Sequence, residues 1–317
     1  MDTAPARLSP ILVVGRSGQL ATALGRADRS DIHCLGRPDI DFDRPETLAA
    51  AFAALSPALV VNAAAWTAVD AAESDPEGAA RANRDGPALL ARLCAERGIP
   101  LIHVSTDYVF DGTKGAPYVE SDPISPRTVY GRSKAEGERA ILAAHGRAII
   151  LRTAWVYSPY GRNFVRTMLN AGVKTPVLRV VGDQLGNPTS ADDLADAILA
   201  IIDRIGRTGW RDDYAGLFHA AGSGETTWHG LAVAALREAA KAGQPMPEVL
   251  AIGTADWPTP AARPQDSRLD CTRLRDVFGI RLPDGRAGGA RSVALWMAGP
   301  AACRSAATAM AVAAIMD

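Results

Sequence analysis

Cysteine, lysine and net charge are all scarce in this chain of 317 residues. Its four cysteines, Cys34, Cys94, Cys271 and Cys303, are scattered without a C-x-x-C pair, which argues against a disulfide framework or a cysteine metal cluster. The 34 basic residues nearly balance 35 acidic ones, so no overall field favours nucleic acid or an anionic membrane. Only four of the basic residues are lysines, so a lysine in a functional pattern carries weight.

Long apolar runs are absent as well. The first ten residues lack the apolar core of a secretory signal, and the most apolar stretch, after about Trp296, is interrupted by Arg304. We therefore expect a cytoplasmic protein that binds neither nucleic acid nor a membrane. Apolar residues still make up 48% of the chain, which is enough for a full core.

Short apolar runs alternate with helical patterns from residue 8 to about residue 157. Runs such as Ile11–Val14 lack period-two alternation, which is typical of parallel strands buried on both faces. The pattern predicts an α/β fold with a doubly wound (Rossmann-type) parallel sheet. Beyond Tyr157 glycine, proline and asparagine become frequent, which indicates a smaller mixed α/β substrate-binding lobe. We predict an NADP-binding Rossmann domain over residues 8–157, to which 190–222 return, a substrate-binding lobe over 158–300, and an Ala-rich tail of unassigned role over 301–317.

A glycine-rich turn joins the first predicted strand to the first predicted helix. It contains Gly15, Ser17, Gly18, Gln19 and Leu20 in a G-x-x-G-x-x-A spacing. Glycine allows a tight turn and a close approach of the backbone to a pyrophosphate at the helix N-terminus. The turn therefore predicts a dinucleotide-binding site, and an ordinary glycine-rich connection is the alternative.

The end of the second predicted strand indicates which dinucleotide is bound. An NAD site has an acidic residue there for the ribose 2′-hydroxyl, whereas this chain has Gly36 and Arg37, which leave room and a cation for a 2′-phosphate. We therefore expect NADPH as the cofactor and leave acceptance of NADH open. The alternative is that Arg37 is a solvated loop charge. Asp41 and Phe42 follow at a suitable distance to contact the adenine.

Tyr130 and Lys134 form the strongest chemical pattern. They are four residues apart in a predicted helix and so share one face. A ketone that accepts a hydride needs an acid to protonate its oxygen, and a nearby ammonium lowers the pKa of a tyrosine. We predict that Lys134 lowers the pKa of Tyr130 and holds the nicotinamide ribose. Thr106, at the carboxyl end of the fourth predicted strand, is expected to donate to the substrate carbonyl.

Longer segments resemble the extended short-chain dehydrogenase/reductases, and within them the dTDP-4-dehydrorhamnose reductase family. The resemblance runs from about residue 10 to residue 284. Its segments are GRSGQL (15–20), VNAAAWTAVDAAE (61–73), STDYVFDG (105–112), SPRTVYGRSKAEGE (125–138), RTAWVYSPYGRNF (152–164), DQLGNPT (183–189), TTWH (226–229) and RPQDSRLD (263–270).

The resemblance implies NADPH-dependent reduction of the C4 keto group of dTDP-4-dehydro-β-L-rhamnose to dTDP-β-L-rhamnose. It implies that Thr106, Tyr130 and Lys134 carry the chemistry. Further cofactor contacts are implied for Ala63, Ala64, Ala65, Thr67 and Ser105. Substrate contacts are implied for Val69, Thr106, Asp107, Tyr108, Trp155 and Arg263. Two alternatives stay open: a nucleotide-ketosugar reductase of other C4 stereochemistry, and a non-catalytic NADP-binding regulatory subunit.

The chain also departs from the family's pattern. Trp66 stands where the family often has His or Tyr, and Ala21 replaces the common third glycine. Beyond Pro283 the chain becomes Gly- and Ala-rich and loses the family's closing helix pattern. Acidic positions that hold an interface metal in some members are not evident, since position 23 is Ala23, so no metal is expected. We expect a monomer or a weak homodimer.

Overall fold

The computed structural model describes residues 8–298. In chain order its first elements are β1 (Ile11–Val14), α1 (Gln19–Gly25), β2 (Ile32–Leu35), α2 (Glu46–Leu55), β3 (Leu59–Asn62), α3 (Val69–Ser74), α4 (Pro76–Ala80), a π-helical turn (Arg81–Asp85), α5 (Gly86–Arg97), β4 (Leu101–Thr106), α6 (Val129–Ala144), β5 (Ala148–Thr153) and β6 (Val156–Tyr157). They continue with α7 (Phe164–Gly172), β7 (Val177–Val181), β8 (Leu185–Gly186), β9 (Thr189–Ser190), α8 (Ala191–Thr208), β10 (Gly216–His219), β11 (Thr226–Thr227), α9 (Trp228–Lys241), β12 (Glu248–Ile252), α10 (Thr272–Phe278) and α11 (Gly285–Met297).

Six strands form one parallel sheet in the order β10-β5-β4-β3-β1-β2. The chain leaves β1 for β2 on one side and then returns to place β3 on the other side of β1. This reversal opens a crevice at the carboxyl ends of β1 and β3, where ligands of doubly wound sheets bind. The predicted doubly wound α/β fold is confirmed.

Helices cover both faces of the sheet. Ile11 and Val13 of β1 pack into a core completed by α1 and α8, whereas Leu12 and Val14 pack into a core completed by α2, α5 and α6. All four side chains are at most 1% exposed. Burying each contributes about 1.5–3 kcal/mol, so the sheet is held from both sides and its carboxyl edge is a rigid platform.

A segment near the carboxyl end returns to the sheet, which the sequence did not lead us to expect. Leu274 and Phe278 of α10 pack in the same core as β1, and the ring of Phe278 meets Phe218 of β10 edge-on, with 5.2 Å between centroids. These residues fall within 158–300, the range that we predicted for the substrate-binding lobe, and the division of the chain into domains stays a prediction. The segment returns because α10 covers the edge strand β10, a contact that local periodicity does not reveal.

The smaller lobe is built around α7, α9 and α11 and the parallel pair β7–β12. Our expectation that the chain loses its closing helix beyond Pro283 is wrong, because α11 forms there and packs on α9. Its glycines suit a close approach: a Cβ on Gly285 would lie 1.9 Å from the Pro188 carbonyl oxygen. Tertiary packing therefore overrides a poor helix propensity. The predicted Ala-rich tail, 301–317, lies outside the described residues.

Within residues 8–298, no helix combines the length and the hydrophobicity needed to cross a bilayer.

Candidate active site

A cavity of about 720 Å³ opens at the carboxyl ends of β1 and β3. Gly15, in its wall, has a φ of +131°, a backbone conformation that favours glycine. Gly18 begins α1 without a side-chain cap, so the first N–H groups of the helix are free to bind an anion. Of the predicted cofactor residues, Gly15, Ser17, Gly18, Arg37, Phe42, Ala63, Ala64 and Ala65 line the cavity. The cavity and its free N–H groups fit a dinucleotide with its pyrophosphate on α1.

Other predicted cofactor residues lie away from the cavity wall. Gln19 turns towards Ser158 and Asn163, and Leu20 is buried in the core. The Ser105 hydroxyl donates to Glu138, 2.5 Å away. Asp41 accepts a hydrogen bond from Arg37, and Thr67 is exposed. The local sequence patterns and the resemblance together therefore assigned more side chains to the cofactor than this structure brings to the cavity.

Arg37 lies at the predicted 2′-phosphate position but is already paired. Its guanidinium is 2.9 Å from Asp41 and 2.7 Å from Asp43, and its side chain is 70% exposed. Arg81, from the π-helical turn, approaches Asp43 from the other side at 3.1 Å. Arg37, Asp43 and Arg81 all line the cavity. Sequence reasoning missed Asp43 and Arg81 because only the fold brings residues this far apart in sequence together.

Helix α6 presents Tyr130 and Lys134 on its buried face. The helix begins at Thr128, whose hydroxyl accepts from the Gly131 N–H at 3.0 Å. A Cβ on Gly131 would lie 2.2 Å from the Tyr108 carbonyl oxygen, so glycine allows the helix to pack against the turn after β4. This close contact sets the position of Tyr130 relative to Thr106 at the end of β4.

Thr106 and Tyr130 come together as expected. The Thr106 hydroxyl lies close enough to the Tyr130 phenol to oppose the rise of its pKa, and the Tyr108 ring meets the Tyr130 ring edge-on at 5.6 Å. Burial raises the pKa of Tyr130 to about 12, opposed by the Thr106 hydroxyl. The phenol therefore holds its proton at neutral pH, as a general acid for ketone reduction must.

The Lys134 amine bonds to groups of β4. Its Nζ donates to the Val104 carbonyl at 2.6 Å and lies 3.2 Å from His103 Nε2. Burial lowers the pKa of Lys134 to about 8, and the Glu138 carboxylate partly opposes this. In this arrangement burial dominates the pKa of the phenol and the amine points to β4, so the lowering of the Tyr130 pKa by Lys134 stays a prediction.

Asp107 is a buried carboxyl next to the reacting groups. It accepts a hydrogen bond from the Thr106 hydroxyl at 3.0 Å. Burial raises the pKa of Asp107 to about 6, opposed by hydrogen bonds from Ser267 and Thr106. Its Oδ2 has no hydrogen-bond partner within the described part of the chain. The Thr106 hydroxyl therefore donates to Asp107 until a substrate oxygen competes for this hydrogen bond.

Arg263 is close to this group but paired as well. Its guanidinium donates two hydrogen bonds to the Asp70 carboxylate, with Nη1–Oδ1 at 2.5 Å and Nη2–Oδ2 at 2.7 Å. A substrate diphosphate would have to replace Asp70 to take this fork. Val69, beside Asp70, packs with Tyr108 around Tyr130, so the structure brings Val69 to the catalytic group.

Trp155 packs face to face on Trp228, with 3.6 Å between ring centroids and 7° between planes. Its φ is +47°, and a Cβ on Gly186 would lie 2.4 Å from its indole, so the position depends on glycine there. Sequence reasoning missed Trp228, although the TTWH segment contains it. The stack makes Trp155 part of the wall between the sheet and the smaller lobe.

Among residues 8–298 no group of three or more His, Cys, Asp or Glu side chains could hold a metal ion. That the chemistry needs no metal remains a prediction.

A family model, curated relatives and a solved structure all indicate the same protein family for this chain. Residues 9–295 match the family model described as the RmlD substrate binding domain. A curated dTDP-4-dehydrorhamnose reductase from Sinorhizobium fredii is 46% identical over 276 residues, covering 86% of this chain and 93% of the relative. A probable dTDP-4,6-dihydroxy-2-methyloxan-3-one 4-ketoreductase from Streptomyces antibioticus is 40% identical over 280 residues, covering 87% and 91%. The crystal structure of dTDP-4-dehydrorhamnose reductase from Bacillus anthracis in complex with NADP superposes with a TM-score of 0.81 at 29% identity, covering 89% of this chain and 97% of that one.

Proposed function

Because the chain belongs to the RmlD substrate binding domain family, we propose that it catalyses the NADPH-dependent reduction of dTDP-4-dehydro-β-L-rhamnose at C4, which gives dTDP-β-L-rhamnose. The observation that carries the proposal is the placement of Thr106 next to the buried Tyr130 phenol beside the dinucleotide cavity. Trp66 links the two, since it lines the cavity and packs in the same cluster as Tyr130.

NADPH, when bound, supplies the hydride for C4 of the sugar. Gly15, Ser17 and Gly18 would hold its pyrophosphate, and Lys134 would hold the nicotinamide ribose. Tyr130 donates its phenolic proton to the C4 oxygen, which its pKa of about 12 allows because the group is fully protonated at neutral pH. The Thr106 hydroxyl turns from Asp107 to the same oxygen and stabilises its developing charge.

The substrate contacts follow from the same arrangement. Asp107, Tyr108 and Val69 surround the Tyr130 phenol and would contact the sugar, and Trp155 would pack against it from the smaller lobe. Arg263 would exchange its Asp70 partner for the substrate diphosphate.

A coupled assay tests the proposal. The ketosugar is generated from upstream enzymes and NADPH oxidation is followed by absorbance. Tyr130→Phe should lower kcat by at least roughly a hundredfold while NADP⁺ still binds. Tyr214→Phe is the matched control, because Tyr214 is also buried but hydrogen-bonds Thr208 in another part of the fold. Full turnover by Tyr130→Phe contradicts the proposal.

A related nucleotide-ketosugar reductase of other C4 stereochemistry is the second candidate, because a relative from Streptomyces antibioticus, at 40% identity, is named as a probable 4-ketoreductase of a different ketosugar. Proton NMR of the product separates the two by the coupling constants of H4. A non-catalytic NADP-binding subunit is the third reading, and the presence of Thr106, Tyr130 and Lys134 argues against it. Tight NADP⁺ binding without NADPH oxidation would support it.

Location in the cytoplasm, a monomeric or weakly dimeric state, and the lack of nucleic-acid and membrane partners remain predictions. Sedimentation of the purified protein at several concentrations measures the assembly state directly.

A further inference from the structure

A buried chain of three polar side chains links the sheet to the catalytic helix. Asn62 Nδ2 at the end of β3 is 3.0 Å from His103 Nδ1 in β4, and His103 Nε2 is 3.2 Å from Lys134 Nζ on α6. All three residues are at most 1% exposed. With no solvent to compensate a mismatch, each donor in the chain must meet an acceptor.

The backbone determines which way the chain of hydrogen bonds runs. The Ala64 N–H donates to Asn62 Oδ1 at 3.1 Å, which fixes that atom as the amide oxygen. Asn62 Nδ2 therefore faces His103 Nδ1 and must donate to it. A neutral imidazole has one donor and one acceptor, so the proton of His103 is on Nε2.

This tautomer directs an N–H at Lys134. An ammonium group has three donors and no acceptor, so a charged Lys134 would place two donors against each other. A neutral amine accepts from His103 Nε2–H with its lone pair and donates to the Val104 carbonyl at 2.6 Å. We propose that His103 is a positioning residue that favours the neutral amine of Lys134 over the ammonium in the cofactor-free protein.

The surrounding charges agree with this proposal. Glu138, on the same helix face, favours the ammonium, but it is itself paired with Arg152 of β5 at 2.7 Å, which offsets its field. Burial lowers the pKa of Lys134 to about 8. Burial holds the pKa of His103 well below its usual range, so His103 stays neutral and keeps a single proton.

The proposal gives His103 a role in the cofactor cycle and in that respect rests on the proposed function. The ribose hydroxyl oxygens of NADPH can accept hydrogen bonds from an ammonium, whereas the His103 N–H cannot. An amine that moves to them gains from becoming an ammonium. Binding of NADP⁺ near pH 8 should therefore take up a proton from solvent.

The small number of lysines makes the charge of Lys134 directly measurable. Protein labelled with ¹³C at lysine Cε gives four signals, and the one absent from Lys134→Arg belongs to Lys134. In the cofactor-free protein we expect its titration midpoint at about pH 8 or below. A midpoint above pH 9.5 overturns the proposal.

His103→Gln tests the cause. The glutamine amide reaches the position of Nε2 and can turn its oxygen to the amine, so the midpoint should rise by at least about one pH unit. An unchanged midpoint overturns the proposal. His145→Gln is the matched control, because His145 is also buried but bonds the Ile99 carbonyl away from Lys134. If His103→Gln does not fold, Asn62→Asp serves: its carboxylate reverses the tautomer and must raise the midpoint, and failure to do so overturns the proposal.

A measurement of NADP⁺ binding distinguishes failure of this proposal from failure of the proposed function. Protein that binds no NADP⁺ but shows the low midpoint and its rise in His103→Gln refutes the reductase and supports the role of His103. Active protein with a midpoint unaffected by His103→Gln does the reverse.

Discussion

Replacement of Glu138 by glutamine should destabilise the protein strongly. Glu138 accepts three hydrogen bonds, from Ser105 Oγ at 2.5 Å, Arg152 Nε at 3.0 Å and Arg152 Nη2 at 2.7 Å. The Glu138 and Arg152 side chains are 3% and 2% exposed. Glutamine keeps the volume but removes the charge, so Arg152 is left as an uncompensated buried cation. Breaking such a pair costs about 3–5 kcal/mol.

Urea unfolding measures the cost. With a slope of about 3 kcal/mol per molar, a loss of this size lowers the midpoint by more than about 1 M. Glu238→Gln is the matched control, since its partner Lys241 is 72% exposed and a surface pair of this kind contributes less than about 1 kcal/mol. The double variant Glu138→Met with Arg152→Met should recover much of the loss, because no buried charge remains.

The reasoning would be refuted if Glu138→Gln unfolded at the same urea concentration as the wild type. It would also be refuted if the double variant were less stable than Glu138→Gln, because the cost would then not come from an unpaired Arg152.

Three further predictions follow from the site. Burial raises the pKa of Asp107 to about 6, so the stability that its protonated form contributes is present below pH 4 and lost as pH rises through about 6. The stability of Asp107→Asn relative to wild type should therefore rise by up to about 3 kcal/mol between pH 4 and 8. A difference in urea unfolding that stays constant over this pH range would argue against it. Asp43→Asn removes the carboxylate shared by Arg37 and Arg81, although Arg37 keeps its pair with Asp41. The ratio of NADPH to NADH affinity, measured by fluorescence titration, should therefore rise roughly two- to fivefold, and a falling ratio would be contrary evidence. Gly137→Ala places a Cβ 2.0 Å from the Asn83 carbonyl oxygen and should lower the free energy of unfolding by about 1–3 kcal/mol. Gly146→Ala is the control, because its Cβ meets open space and should cause no such loss. Equal stability of the two variants would speak against close packing of α6.

The sheet could be predicted from sequence because its signals are local. The strand Ile11–Val14 is a short apolar run ended by Gly15, and the structure places it inside the sheet, between β3 and β2. Tyr130 and Lys134 were found for the same reason, since four-residue spacing on a helix is a short-range pattern.

The pairings that tune the site could not be predicted in this way. Asp43 meets Arg81 across 38 residues, and Asp70 meets Arg263 across 193. No periodicity encodes such contacts. Arg37 and Arg263, which we predicted as phosphate ligands from the sequence, are therefore found paired with carboxylates. The direction of Lys134 was missed for a similar reason: its partner His103 lies on a neighbouring strand and has no motif of its own.

Helix α11 shows the limit of propensity. Its glycines argue against a helix when taken alone, yet Gly285 and Gly288 are where the helix comes closest to Pro188 and Tyr157. The packing partner, which the local sequence does not contain, explains the element.

The most direct test of the central claim is transfer of deuterium from C4-deuterated NADPH to the sugar. The account predicts one deuterium at C4 of a dTDP-β-L-rhamnose product for each NADPH oxidised, read by NMR. Deuterium at another carbon, or no oxidation of NADPH that is demonstrably bound, would contradict it.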